Sequence, residues 1–590
     1  MKKILLLSLA LTTCLFSFSQ QRATVKKSQK LKSVKAYHKT AIDDQIVEKP
    51  VNYSTAAKGV ADINETQIGD TYYDLWTNCL MANRIYLYND GTIGAVWTRG
   101  TEASSFPDRG TGYNYFDGTS WGPMPTARIE TMRTGWPSYA PWGANGELFT
   151  SHGPADGLLI STRPTKGTGD WTEAYVPNPE GSSGLTWPRT VTAGADHNII
   201  HNLANSYDPY LGQPSALCYS RSSDGGANWD IENEVIEGLG ADYFYDIGGD
   251  AYAWAEPQGD TIAFLVADKW HDMVLMKSLD GGDNWTKTVI YEFPIPLWYF
   301  GADQDPLDTT FVCDGSAAIC LDKDGMAHVA FGIVRVYVTD PGSGSYNYFP
   351  YYDGIGYWNE SMPTWTDGDQ YHALDPDALY ESGNLIGWTQ DVDGNGTIDF
   401  LDDGVVSYRA SGISTMPNLI ADDNGWIFLS FATTTEGFDN GEKNFKHIWL
   451  RAYDGYEWTN FLDIDNGIAH MFHECVYPNL AQNTDADNIH LIYQADEFPG
   501  LALNGDHDYV NNFIYHVKVA KSDLINVGIN NVNNTNLNVS QNYPNPFNGI
   551  SKVSVTTEKT TNLSLEVSNM MGQKVFEIPA HKVNAGTHIL

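Results

Sequence analysis

Across residues 65 to 523, apolar and polar positions alternate in short runs broken by polar turns. Period-two alternation of this kind predicts half-buried strands and no long helices. One unit, a polar turn followed by a strand, recurs seven times: NDGTIGAVW (89–97), ANGELFTSH (144–152), ADHNIIHNL (195–203), GDTIAFLVA (259–267), DKDGMAHVAF (322–331), DDNGWIFLSF (422–431) and DADNIHLIYQ (485–494). A second unit, a strand ending in a tight turn and a Trp, recurs six times, at Trp121, Trp171, Trp229, Trp285, Trp358 and Trp458. The seventh ends instead in FIYHVKVAKSDL, as expected if its outer strand comes from the N-terminal segment INETQIGDTYYDLW and closes a ring.

A unit repeated on this scale decides the architecture. Successive Trp residues lie 50, 58, 56, 73 and 100 positions apart. Four-stranded propeller blades run about 40 to 50 residues, so the early units fit and the later ones carry insertions. The predicted fold is therefore all-β: a seven-bladed β-propeller, with six blades as the alternative, followed by a small β-sandwich-like C-terminal module. Four units begin with Trp136, Trp187, Met416 or Tyr477 before a Pro. These positions either gather at one mouth of the central channel or merely set the start of each inner strand, the second being preferred.

Two of the Trp turns match SxDxGxxW in full: Ser222, Asp224, Gly226 and Trp229, then Ser278, Asp280, Gly282 and Trp285. The Asp can accept N–H bonds within the turn, Gly permits positive φ, and Trp packs back on the sheet. The pattern resembles the BNR/Asp-box repeat of sialidase-like propellers. That resemblance implies a structural role on the outer rim, not catalysis.

Charge and cysteines narrow the partners. The chain holds 73 Asp and Glu against 35 Lys and Arg, a net charge of −38, and residues 50–523 alone hold 67 against 21. An acidic body of this size repels nucleic acid and anionic membrane, so neither is an expected partner. Residues 20–64 open with Lys26, Lys27, Lys30, Lys32, Lys35 and Lys39 and no apolar periodicity, and read as a flexible, solvated basic segment. Residues 1–19 have a basic start, an apolar run and small residues before Gln20, the grammar of a secretory signal peptide; Thr13 disfavours lipidation at Cys14. No other run approaches the ~18 apolar residues of a membrane span. Beyond Cys14 stand Cys79, Cys218, Cys313, Cys320 and Cys475, an odd number and no disulfide scaffold. Cys313 and Cys320 either bridge a hairpin or are buried free thiols. No CxxC-type spacing supports a zinc site.

The C-terminal residues read as an Asn-rich linker (524–538) and a small β-module (539–590) with QNYPNPFNGISKVSV, TNLSLEVSN and MGQKVFEI. NYPNPFN with the MxGQxV hairpin resembles the type A C-terminal sorting domain of the type IX (Por) secretion system of Bacteroidetes. The resemblance implies export to the cell surface or medium, with that secretion machinery as a partner. The family's module continues with further strands and a short basic tail, so the module is expected to be truncated at Leu590.

Between units five and six an insertion (about 366–410) carries DVDGNGTIDFLD. Asp391, Asp393, Asn395 and Asp399 fall at positions 1, 3, 5 and 9 of an EF-hand-type loop, with Gly396 at 6, the Thr397 carbonyl at 7 and Asp402 at 12. Hard oxygens at alternate positions can wrap one calcium ion, and Gly allows the sharp bend. The loop also resembles dockerin and other extracellular calcium loops. Asp402 is shorter than the usual Glu, so a weak ion with a structural role is expected.

The Asp-box resemblance raises an enzymatic alternative, a sialidase-like glycoside hydrolase or other carbohydrate-active enzyme. Sialidases need clustered arginines and a Tyr/Glu pair. Only Arg84, in NRIYLYNDG, and Arg99, in VWTRG, stand near the expected places, without the family's flanking residues. The preferred reading is an exported or surface-attached propeller that binds a ligand, a glycan or another protein. The 34 Tyr and 18 Trp suit stacking on sugars.

Overall fold

The computed structural model describes residues 22–38, 65–103, 105–153, 158–467, 469–525, 537–539, 551–557, 559–568 and 574–589. The signal peptide, NYPNPFN and the MGQ turn lie outside them. The chain divides into two compact units, residues 1–525 and 526–590.

Each turn-and-strand unit of the larger body becomes the second strand of an antiparallel sheet, and there are seven such sheets. Blade one has three strands, Ile85–Leu87, Ile93–Arg99 and Gly110–Phe116. Blades two, three, four and six have four each and the sheet of blade five has six, with inner strands for blades two to six of Gly135–Trp142, Leu185–Ala193, Tyr252–Trp254, Leu307–Leu321 and Ser414–Ala421. Blade seven runs Glu474–Leu480, Asn488–Asp496 and Asn512–Ala520, and its fourth strand is Glu65–Thr71 from the other end of the chain. Neighbouring inner strands pack in chain order and blade seven returns to blade one, so the ring is closed with seven blades.

The two SxDxGxxW turns fold alike. In each, Ser Oγ accepts the Gly N–H at 2.8 Å, while Asp224 and Asp280 accept the N–H of Asn228 and Asn284 at 2.8 and 2.9 Å. Gly226 and Gly282 take φ of 92° and 91°, closed to most side chains. One unit differs from its sequence pattern. Trp358 closes no turn but ends the third strand of blade five, Ile355–Asn359, because the Asp353–Gly354 turn precedes that strand. Trp136, Trp187, Met416 and Tyr477 each sit at a bulge inside an inner strand with φ of 50° to 59°. All four are buried.

The segment from 72 to 84, joining the closing strand to blade one, fills the centre of the ring. Trp76 stacks on Tyr477 of blade seven at 6.0 Å, Asn78 N–H donates to Asp250 of blade four at 2.9 Å, and Arg189 of blade three donates to the Leu80 carbonyl at 2.7 Å. Arg189 and Asp250 form a sealed ion pair at 2.6 Å.

The N-terminal basic residues are not a solvated tail where they are described. Residues 22–38 form a strap across blades five and six. Arg22 pairs with Asp377 at 2.8 Å, Val25 is buried among Tyr351, Ile398, Phe400 and Ile413, and Lys26 and Lys32 pair with Asp399 and Asp403 at 2.6 and 2.9 Å. The strand Val34–Tyr37 then adds antiparallel to Ser345–Phe349. Periodicity could not show this, because one apolar anchor and scattered lysines meeting an acidic body leave no repeat.

All five described cysteines are free, and Cys313 and Cys320 lie on one strand, not on the two arms of a hairpin. The C-terminal unit has a three-stranded sheet (Leu537–Val539, Ser554–Thr557, Gly586–Ile589) and a hairpin of Thr561–Ser568 with Lys574–Val583. Among the described residues no helix is long and apolar enough to cross a membrane.

Candidate functional site

At one mouth of the filled channel lies a cavity of about 390 Å³. Seven separate stretches build it: Asn78 and Cys79 from the central segment, Trp187 from blade three, Asp246–Gly249 and Asp268–His271 from blade four, Asp314 and Tyr346 from blade five, and Arg409 from the link into blade six. Lys35 to His38 of the strap form a further wall, and the His38 ring stacks on Phe300 at 4.4 Å.

His271 is the electrostatic centre. Its Nδ1 lies 2.8 Å from Asp268 Oδ2 and its Nε2 3.6 Å from Asp246 Oδ1. Burial alone would lower its pKa, but the charge and hydrogen bond of Asp268, with Asp246 behind them, raise it to about 9. It is an imidazolium at neutral pH. Asp268 also accepts the N–H groups of Trp270 and His271, so the turn that carries these side chains is locked. Lys269 donates to the carbonyls of Asp314 and Arg409 at 2.9 and 3.0 Å, and burial pulls its pKa down.

Arg409 and Ala410 have φ of 52° and 58°, a left-handed pair without glycine, which costs free energy and is held by the Lys269 bond. Among the described residues the Arg409 guanidinium has no ion-pair or hydrogen-bond partner, although it lines the cavity. Burial raises the carboxyls of Asp246 and Asp314, and pushes the Cys79 thiol up to about 12, so Cys79 is no nucleophile at neutral pH. The cavity thus offers aromatic faces, carboxylate acceptors and a free guanidinium donor.

The two arginines singled out in the sequence do not line this cavity. Arg84 is sealed in the central segment, donating to the Trp76 carbonyl at 2.7 Å, and burial and Arg189 lower its pKa to about 9. Arg99 lines a different cleft of blade one and lies 3.4 Å from Asp70.

The acidic loop folds tightly. Asp391 accepts the N–H groups of Asn395 and Gly396 at 3.1 and 2.7 Å, and Asn395 Nδ2 reaches Asp393 and Asp399 at 2.9 and 3.2 Å. Thr397 N–H turns back to the Asn395 side chain at 2.9 Å. Asp402 is exposed, outside the acidic group that forms. Its place beside Asp391 and Asp393 is taken by the buried Glu436 of blade six, and ligand oxygens of these three lie within 4.8 Å of one another. Sequence spacing could not supply Glu436, which stands 34 positions beyond Asp402.

No family model matches the chain, and no curated protein matches it. Among solved structures, the chain is similar to an ulvan lyase, a polysaccharide lyase bound to a saccharide, at 11% identity over 79% of this chain and 98% of that one, with a TM-score of 0.38. It is similar to a Trypanosoma rangeli sialidase mutant with trans-sialidase activity at 12% identity, covering 67% and 60%, with a TM-score of 0.33. A lectin in complex with alpha methyl fucoside is similar at 12% identity over 65% and 95%, with a TM-score of 0.31.

Proposed function

We propose that this protein is an exported propeller that binds carbohydrate in the channel-mouth cavity. The observation that carries the reading is the lining itself. Trp187, Trp270 and Tyr346 give the lining aromatic surface suited to the C–H groups of a sugar, and Asp246, Asp314 and Arg409 offer acceptors and donors to its hydroxyls and to any carboxylate. A cavity of about 390 Å³ accommodates one or two sugar rings. The hydrolase reading gains nothing from the geometry, since Arg84 and Arg99 stand apart from this cavity and from each other. A glycan array probed with the purified protein, reading both retained protein and released sugar, tests the proposal. Retention lost in Trp270→Ala supports it, and release of sugar would replace binding by catalysis.

Two further readings belong to the same proposal. Calcium binds the Asp391–Asp402 loop and takes Glu436 in place of the short Asp402, which stiffens the link into blade six. Type IX secretion delivers the chain, a reading supported by NYPNPFN and MGQKV. Release of the full-length protein by a type IX-competent host that is unchanged when residues 526–590 are deleted would count against that route.

A further inference from the structure

At the start of blade seven the run HMFHEC doubles back, His473 N–H donating to the His470 carbonyl at 3.0 Å. The turn brings three donor groups together. His470 Nδ1 lies 3.2 Å from His473 Nδ1 and 3.7 Å from Cys475 Sγ. A tetrahedral ion with Zn–N near 2.05 Å and Zn–S near 2.3 Å separates such atoms by about 3.3 and 3.6 Å. The three residues are 2%, 7% and 0% exposed.

The surroundings are those of a metal ligand set. The other nitrogen of His470 meets Glu65 at 2.9 Å, and the Tyr493 hydroxyl fixes that carboxylate at 2.9 Å. A carboxylate there holds the proton on Nε2 and leaves the Nδ1 lone pair facing His473 and Cys475. Asp465 is fully buried, accepts the Ile448 N–H through Oδ2 at 2.7 Å, and has no partner for Oδ1 among the described residues. Its charge acts on both His470 and Cys475.

We propose that His470, His473 and Cys475 bind a divalent transition-metal ion, zinc by the nitrogen and thiolate character of the set, with Glu65 as the positioning residue for His470. Asp465, with its Oδ1 unpartnered among the described residues, adds negative charge beside the set. The three first ligand atoms do not all lie within 4.8 Å of one another, so binding draws His473 and Cys475 inward around His470. The hydrogen bond of His473 among the described residues is to His470, and ligation by the ion replaces it. Cys475 releases its thiol proton to solvent as the thiolate ligand forms. Because Glu65 begins the strand that closes the ring, the ion ties the closing strand to the first residues of blade seven.

Cobalt titration of the purified full-length protein tests this. The expected result is one ion per chain, with tetrahedral d–d bands and a near-ultraviolet thiolate-to-cobalt band, displaced by zinc. Cys475→Ser should abolish the thiolate band. Glu65→Gln should keep it while weakening cobalt affinity by roughly 10- to 100-fold. Wild-type protein giving no thiolate band, or a band that survives Cys475→Ser, overturns the proposal, and the wild-type titration decides the matter even if a variant fails to fold.

Discussion

Raising the pH from 6 to 9.5 should remove a defined part of the propeller's stability through His271. The folded protein holds this imidazole at a pKa of about 9 against an ordinary value of 6.5. A raised folded pKa stabilises fully below 6.5, and that stabilisation is lost as pH rises through about 9. At about 1.4 kcal/mol for each pKa unit, the contribution is about 3 kcal/mol. His271→Gln removes the titration and leaves Asp268 without its cationic partner. All 18 Trp residues precede residue 526, so Trp fluorescence during urea unfolding reports the propeller alone. The gap between wild type and variant should be about 3 kcal/mol wider at pH 6 than at pH 9.5. The variant comparison cancels the titrating groups that do not interact with His271, so Asp246 and Asp268 are the ones it leaves. A gap that is the same at both pH values would refute the assignment of His271 as an imidazolium clamped by Asp268.

Other perturbations have outcomes of stated size. Asp250→Ala leaves Arg189 buried and unpaired in the channel and should cost roughly 3–5 kcal/mol in the same unfolding assay. Deleting residues 22–38 takes one wall off the cavity and should speed saccharide association in stopped-flow fluorescence, with slower or unchanged association counting against the strap as a barrier. Millimolar calcium should raise the midpoint of thermal unfolding, and Glu436→Gln should remove most of that rise.

The ring was legible because each second strand is a short apolar-rich run following an Asp- or Asn-containing turn, a local pattern that survives without any alignment. Closure was legible for the same reason, since Asn512–Ala520 lacks a following Trp turn and Glu65–Thr71 lacks a preceding partner. The cavity was not legible. Asn78, Trp187, Asp246, His271 and Arg409 are brought together only by the curvature of the whole ring, and each looks ordinary in its own segment. Glu436 was hidden likewise, standing on a strand that reads as blade core. The HMFHEC run was in plain view, but its meaning depends on a turn that points His470, His473 and Cys475 the same way. The strap escaped because lysines on an acidic surface form pairs that leave no periodic trace.

The central claim is that the channel-mouth cavity binds carbohydrate. Its most direct test is titration of the full-length protein with neutral and uronic-acid oligosaccharides, followed by Trp fluorescence, with Trp270→Ala and Arg409→Ala alongside. The account predicts saturable binding to at least one saccharide, at least tenfold weaker in Trp270→Ala, with Arg409→Ala impairing the acidic sugars most. Binding that both variants leave unchanged, or no binding by any saccharide, would contradict it.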